Sequence, residues 1–263
     1  MKELSRNEFG KIKFLAEEAK NNRALIFSVI EKKHPGRVFV NKLDNPHFAL
    51  IVTRVNFMFV LGDVLFDQDE KTLSRTLFGK VLSDLEEKAI ILFSYSEPTR
   101  KAVERIFQKK EGIRISRKQF KLTINPDLME KYRKIKEEVP QGFRLEKMDN
   151  MLGEKAGLKK EIADFSGDAF GFCLLQGEEI ASFCYSIFLG GGEAEVDIKT
   201  NEKFQGKGLA SIVAAAFIME CFQKGLVPNW ATWPYREASI ALAHKLGFEE
   251  IDDIPAHFWA EEM

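Results

Sequence analysis

The chain has 263 residues, 45% hydrophobic and 30% charged, with 39 Lys and Arg against 40 Asp and Glu for a net charge of -1. That length and balance describe one large or two small globular domains with a proper buried core; they exclude disorder as the default and disfavour a broadly basic nucleic-acid binder. The three cysteines, at 173, 184 and 221, make no disulfide framework, and no Cys-x-x-Cys or Cys/His cluster offers a zinc site, so a reducing compartment and no metal are expected.

Residues 1–8 carry charge where a signal peptide needs an apolar core. The longest apolar run, 212–219, falls well short of the about 20 residues that span a bilayer. A cytoplasmic protein without a membrane partner is the expectation.

Apolar residues at Ile12, Leu15, Ala16 and Ala19, then at Leu25, Ile26 and Val29, predict two short helices broken at Asn21 and Asn22. Three β-branched or aromatic runs, 37–40, 48–52 and 57–61, predict an antiparallel meander. Leu73, Leu77, Val81 and Leu85 recur at i+4 and predict a helix from Asp69 through Glu87, followed by a buried strand at 89–93. Pro98 opens a further helix to Phe107. This half carries no phosphate loop, no metal-ligand spacing and no paired nucleophile and base.

A polar stretch from Asn125 to Gly142, with a charged run at 131–138 read as a solvated helix face, separates the halves. The expected organisation is an amino-terminal α/β domain at 1–125, a linker at 126–142 and a second domain at 143–263. In the second domain the pattern predicts a strand at 143–145, a helix at 152–165, and strands at 171–175 and 180–187. A triple-glycine turn at 190–192 then leads to a strand at 194–200.

After that strand comes Gln205-Gly206-Lys207-Gly208-Leu209-Ala210, and the spacing of Leu209, Ile212, Val213, Ala216 and Phe217 marks a helix. A helix amino terminus exposes unpaired N–H groups and partial positive charge, which suit a phosphate, and glycines let the backbone approach it. The first acidic residue in this helix is Glu220, so no side chain neutralises its start. The same glycines also suit a plain tight turn. A Walker A loop fails because Leu209 follows Gly208, and a dinucleotide fingerprint fails at Ser211.

The loop 205–210 resembles the Gln/Arg-x-x-Gly-x-Gly/Ala motif of the GNAT family of N-acetyltransferases, and Ser239 to Phe248, ending Lys245-Leu246-Gly247-Phe248, resembles the family's second signature. Residues 195–200, the loop, and the stretch from Phe217-Ile218 through Pro228-Asn229-Trp230, together with 41–46 and Gly62-Asp63 in the first half, are similar to GNAT proteins of the zwittermicin-A-resistance type. The resemblance implies a GNAT fold, α/β (α+β) with a mixed central sheet flanked by helices. A smaller, degenerate GNAT-like α/β domain without a CoA loop would precede it.

It further implies acetyl-CoA as cosubstrate. The backbone of Ile198, Lys199 and Thr200 would pair with the pantetheine arm, and the amides of Gln205, Gly206, Lys207, Gly208, Leu209 and Ala210 would hold the pyrophosphate. Acetyl transfer needs a neutral amine, and an alkyl amine with a pKa of about 10.4 is almost wholly protonated at neutral pH, so a carboxylate base is expected. Alternation sets Val196 and Ile198 toward the core and Glu195, Asp197 and Lys199 on the other face. Glu195 is the first candidate base, Glu193 the second.

The family's usual tyrosine acid is replaced by Ala243, and an asparagine by Arg236; Tyr235 is the substitute donor. His34 and His47 read as turn residues and His244 as a solvated helix residue. The implied activity is N-acetylation of a primary amine on a small molecule, an antibiotic or metabolite. A non-catalytic acyl-CoA-binding or regulatory module is the alternative, and an oligomer stays open.

Overall fold

The computed structural model describes residues 1–158 and 167–262. The chain groups into two compact units, Met1–Arg117 with Asp253–Met263, and Lys118–Asp252.

The first unit runs through β1 (Lys2–Glu3), a 3-10 turn at Arg6–Ile12, α1 (Lys13–Ala16) and α2 (Arg23–Ile30), with Asn22 between the helices in the left-handed region at φ 55. Then come β2 (Gly36–Val40), β3 (Phe48–Thr53) and β4 (Phe57–Gly62), which pair antiparallel in sequence as the meander predicts. Helix α3 (Asp67–Arg75) continues through a π-type stretch at Thr76–Val81 into α4 (Leu82–Asp84). That crossover brings β5 (Ala89–Ser94) parallel to β4, because parallel neighbours need a long connection. The i+4 stripe of Leu73, Leu77 and Val81 is fully buried, against Phe48, Leu50 and Val60 of the sheet. Helix α5 (Glu97–Gln108) adds Val103, Ile106 and Phe107 to the same core, its start capped by Ser96, which accepts from the Thr99 N–H.

Two long strands are absent from the sequence expectations. β6 (Ile113–Lys121) carries Arg114, Arg117, Lys118 and Lys121 among its apolar residues, which hides the alternation, and its last residues lie in the second unit.

The second unit continues with α6 (Pro126–Glu137), β7 (Phe143–Lys147), α7 (Asn150–Lys155), β8 (Phe170–Gln176), β9 (Glu179–Ser186), β10 (Leu189–Gly190), β11 (Glu193–Glu195) and β12 (Asp197–Thr200). It then forms α8 (Leu209–Gln223), β13 (Val227–Thr232) and α9 (Glu237–Lys245). The second unpredicted strand, β14 (Glu249–Ala260), returns the chain to the first unit, where Ala256 to Ala260 pair antiparallel with β5.

Segment 126–142, expected as a linker, contains α6, which belongs to this unit. Its charged surface surrounds one fully buried ring: Tyr132 donates its hydroxyl to the Leu246 carbonyl at 2.6 Å. Of the helix expected at 152–165, residues 152–155 lie in α7, which is capped by Asp149 and ends at Lys155; the chain turns at Gly157 (φ 78), and residues 159–166 lie outside the described residues. Helix α8 is apolar all round and correspondingly buried, its Val213, Ala214, Phe217 and Cys221 inside the main core of the unit. Among the described residues no helix is long and apolar enough to cross a membrane.

Candidate active site

The strand expected at 194–200 is divided. Residues of β11 pair parallel with β13, Glu193 with Val227 through Glu195 with Asn229, and the Val196 N–H donates to the Asn229 carbonyl at 2.9 Å. From Asp197 onward the chain belongs to a different sheet, ordered β12-β9-β8-β7, with β12 antiparallel to β9. The two strands therefore part at Val196, and β12 becomes an edge strand.

Which main-chain groups that edge offers follows from the ladder. Asn201 donates its N–H to the Ala181 carbonyl at 2.9 Å, so residues 197, 199 and 201 direct their main-chain groups at β9, while 198 and 200 direct theirs outward. Consistently, the Thr200 carbonyl accepts from the Gln205 side-chain amide at 3.4 Å. Of the three residues expected along the cofactor arm, Ile198 and Thr200 present main-chain groups on the outer edge; those of Lys199 face β9.

The glycine loop follows directly. A 3-10 turn at Glu202–Phe204 leads to Gly206 (φ 75) and Gly208 (φ 77), and Gly208 is the amino-terminal cap of α8. Both glycines adopt the left-handed region that side chains resist, and a Cβ built on either meets nothing within 4 Å. The backbone here is held bare with open space above it. No side chain caps α8 and no acid stands in its first turn; the Ser211 N–H donates to the Gly208 carbonyl at 3.0 Å, and no side chain of the cap takes up the N–H groups that open the helix. Lys207 lies over the Phe204 ring, 5.3 Å from its centroid, keeping its ammonium beside the loop.

The helices that follow strands in the first unit are built the opposite way. α3 begins with Asp67, Asp69 and Glu70, and α5 with a Ser96 cap and Glu97. Their positive ends are already compensated by the chain's own acids.

Ala194 and Val196 lie in the core with α8, and Ile198 packs on it, so alternation survives the parting and Glu195 occupies the other face. Glu195 is nonetheless buried, 7% exposed, and accepts a hydrogen bond from the Asn229 side-chain amide, itself 7% exposed. Two residues further along, Asp197 accepts from the Tyr185 hydroxyl at 2.9 Å. Burial and the Asp197 charge push the Tyr185 phenol well above its ordinary range, so this hydroxyl stays a donor. Glu193 is half-buried on the same face. Sequence reasoning missed Asn229 because a lone asparagine in a strand carries no signal until its neighbour across the ladder is known.

Tyr235 lies in the turn between β13 and α9 with its side chain 76% exposed. Ala243 is fully buried in the core, so the family's tyrosine position holds a methyl group packed with Leu246 and Phe248. His244 stacks edge-on against Phe120 at 5.4 Å. Cys173, Cys184 and Cys221 are buried, and desolvation raises all three thiols, Cys173 to about 12, which leaves them un-ionised.

His34 and His47 lie in turns as expected, and both are engaged by the fold. His34 is 4% exposed, because its loop folds back onto Ser28, whose carbonyl accepts the His34 N–H at 2.9 Å. His47 is half-buried, with Nδ1 2.7 Å from the Asn41 amide nitrogen and Nε2 3.0 Å from Asp69.

The family model described as GNAT acetyltransferase matches residues 13–256. A Bacillus subtilis (strain 168) relative described as the uncharacterized N-acetyltransferase YdfB is 26% identical over 274 residues, covering 98% of each chain. Among solved structures, a GCN5-related N-acetyltransferase-like protein from Streptococcus suis 89/1591 superposes with a TM-score of 0.72 at 21% identity, covering 96% of this chain and 98% of its own. A tandem GNAT protein from the clavulanic acid biosynthesis pathway superposes with a TM-score of 0.63 at 11% identity, covering 98% and 97%. The likeness to these structures establishes the fold, α/β with mixed sheet and flanking helices, and the family match spans nearly the whole sequence. The chain belongs to the GNAT acetyltransferase family.

Proposed function

We propose that the protein is an acetyl-CoA-dependent N-acetyltransferase acting on a primary amine of a small molecule. The observation that carries this is the parting of β11–β12 from β13 at Val196, immediately followed by an uncapped helix start with two bare glycines. An open strand edge and an anion-ready helix terminus, joined by the eight residues 201–208, match a ligand with an amide-bearing arm and a diphosphate. The outward main-chain groups of Ile198 and Thr200 would bind the arm. Amides of Gln205 to Ala210 would receive the diphosphate, with the ammonium of Lys207 nearby. Acetyl-CoA, when bound, supplies an acetyl thioester.

The remaining chemistry falls to the chain. Glu195 would accept the amine's proton, directly or through a water, and it is suited to this because it is buried beside the parting point and already held by Asn229. Ala243 offers no acid where the family tyrosine would stand. A thiol pKa of about 8.5 makes a thiolate a tolerable leaving group without one, and solvent-exposed Tyr235 is the nearest phenol in sequence. The first unit, whose helices α3 and α5 after the strands begin with acids, would be the degenerate GNAT-like half.

The test is thiol release from acetyl-CoA in the presence of a panel of primary amines, with wild type and Glu195→Gln. Amine-dependent release that falls by about 10²–10⁴ in the variant is the expected result. Tight acetyl-CoA binding with no release for any amine would favour the acyl-CoA-binding module instead.

A further inference from the structure

We infer that Asn229 is a positioning residue for Glu195, an inference that rests on Glu195 being the base. The two residues are register partners in adjacent parallel strands. Both are buried, and the Asn229 Nδ2 donates to the Glu195 Oε2. The main-chain carbonyl of Asn229 meanwhile accepts the Val196 N–H at 2.9 Å. One residue thus fixes the carboxylate through its side chain and the last rung before the strands part through its backbone.

The chemistry favours an amide at this place. A buried carboxylate needs a donor, and a side-chain amide gives one without titrating. A carboxylate has about four lone-pair positions, so one such bond orients it while leaving it able to accept a proton. Asn229 has only two side-chain torsions, and its Cα is fixed in the ladder, so the Glu195 carboxylate is held relative to the very residue at which the cofactor edge begins. A lysine or arginine there would hold the carboxylate more strongly but would oppose its protonation.

The experiment is a steady-state double-mutant cycle on the full chain, with acetyl-CoA and the best amine of the panel, using Asn229→Ala and Glu195→Gln. Asn229→Ala should lower kcat by about tenfold to a hundredfold, the scale of a misplaced catalytic group, with KM for acetyl-CoA within about twofold. In the Glu195→Gln background the same change should have almost no effect, because there is no longer a base to place. Asn229→Gln, which keeps the donor, should recover part of the loss.

A kcat for Asn229→Ala within twofold of wild type, with Glu195→Gln inactive, would overturn the inference and leave the base assignment intact. Undiminished turnover in Glu195→Gln would overturn the base itself. A second measurement needs no turnover: the Asn229 side-chain NH₂ signals in ¹H–¹⁵N spectra, assigned by their loss in Asn229→Asp, should shift on Glu195→Gln. Signals that do not move would show that the pair is not formed and would overturn the inference.

Discussion

Val196 and Asn229 make the bond on which the candidate site turns: the Val196 N–H donates to the Asn229 carbonyl at 2.9 Å, while the pairing of the two strands ends at Glu195 and Asn229. Before this point the chain serves one sheet, and after it the other. A continued parallel ladder would have consumed the outward groups of Ile198 and Thr200. Parting leaves them outside that ladder, within a few residues of the glycine loop, whose Gln205 side-chain amide donates to the Thr200 carbonyl.

The two bare glycines should tolerate a methyl group far better than a glycine elsewhere in the same conformation. Gly62, at φ 74, has no room: a Cβ there would lie 2.3 Å from the His47 carbonyl oxygen. Gly62→Ala should destabilise the protein by roughly 3 kcal/mol or more, whereas Gly206→Ala, at φ 75 with open space, should cost only the left-handed penalty of about 1–2 kcal/mol. Urea unfolding of the two variants measures the difference directly.

Removing the Tyr132 hydroxyl should be felt although α6 looks solvated in the sequence. Tyr132→Phe leaves the Leu246 carbonyl without its 2.6 Å donor inside the core, and a loss of about 1–3 kcal/mol is expected. Thermal unfolding of the pair checks it; an unchanged Tm would mean that the bond contributes nothing net.

His34 sets an acid limit on stability. Burial, with Arg54 adding to it, lowers its pKa from 6.5 to about 4, so the fold holds the neutral ring. The unfolded chain binds the proton more readily, and the stabilisation is therefore complete above pH 6.5 and lost progressively as pH falls from there through about 4. The loss amounts to at most about 3 kcal/mol. His34→Asn should flatten the stability curve across that window, as measured by urea midpoints at a series of pH values.

Tyr235→Phe should change kcat by less than about threefold, since an exposed phenol offers a departing thiolate little that water does not. A fall of about tenfold or more at constant acetyl-CoA affinity would assign the phenol as the proton donor.

The meander, the i+4 stripe of Leu73, Leu77 and Val81, and the strand–glycine loop–helix order were legible because each is periodic or marked by a residue with special backbone freedom. β6 and β14 were not. Arginines and lysines interrupt the alternation of β6, while Asp252, Asp253 and Pro255 do the same in β14, and both strands are specified by their neighbours in the sheet. At the site, period-two alternation placed Glu195 on the face opposite Val196, but its burial and its bond to Asn229 depend on the register of two strands 34 residues apart. Register of that kind is a tertiary fact, as is the choice of Ile198 and Thr200 over Lys199 as the outward pair.

The most direct test is isothermal titration of acetyl-CoA into the wild-type protein and into Gly208→Trp, whose indole would fill the open space above the loop. The account predicts micromolar binding to the wild type, weakened by at least about tenfold, 1.4 kcal/mol, in the variant. Equal affinity for both proteins would remove the loop from the site, and no binding to the wild type would contradict the proposed activity itself.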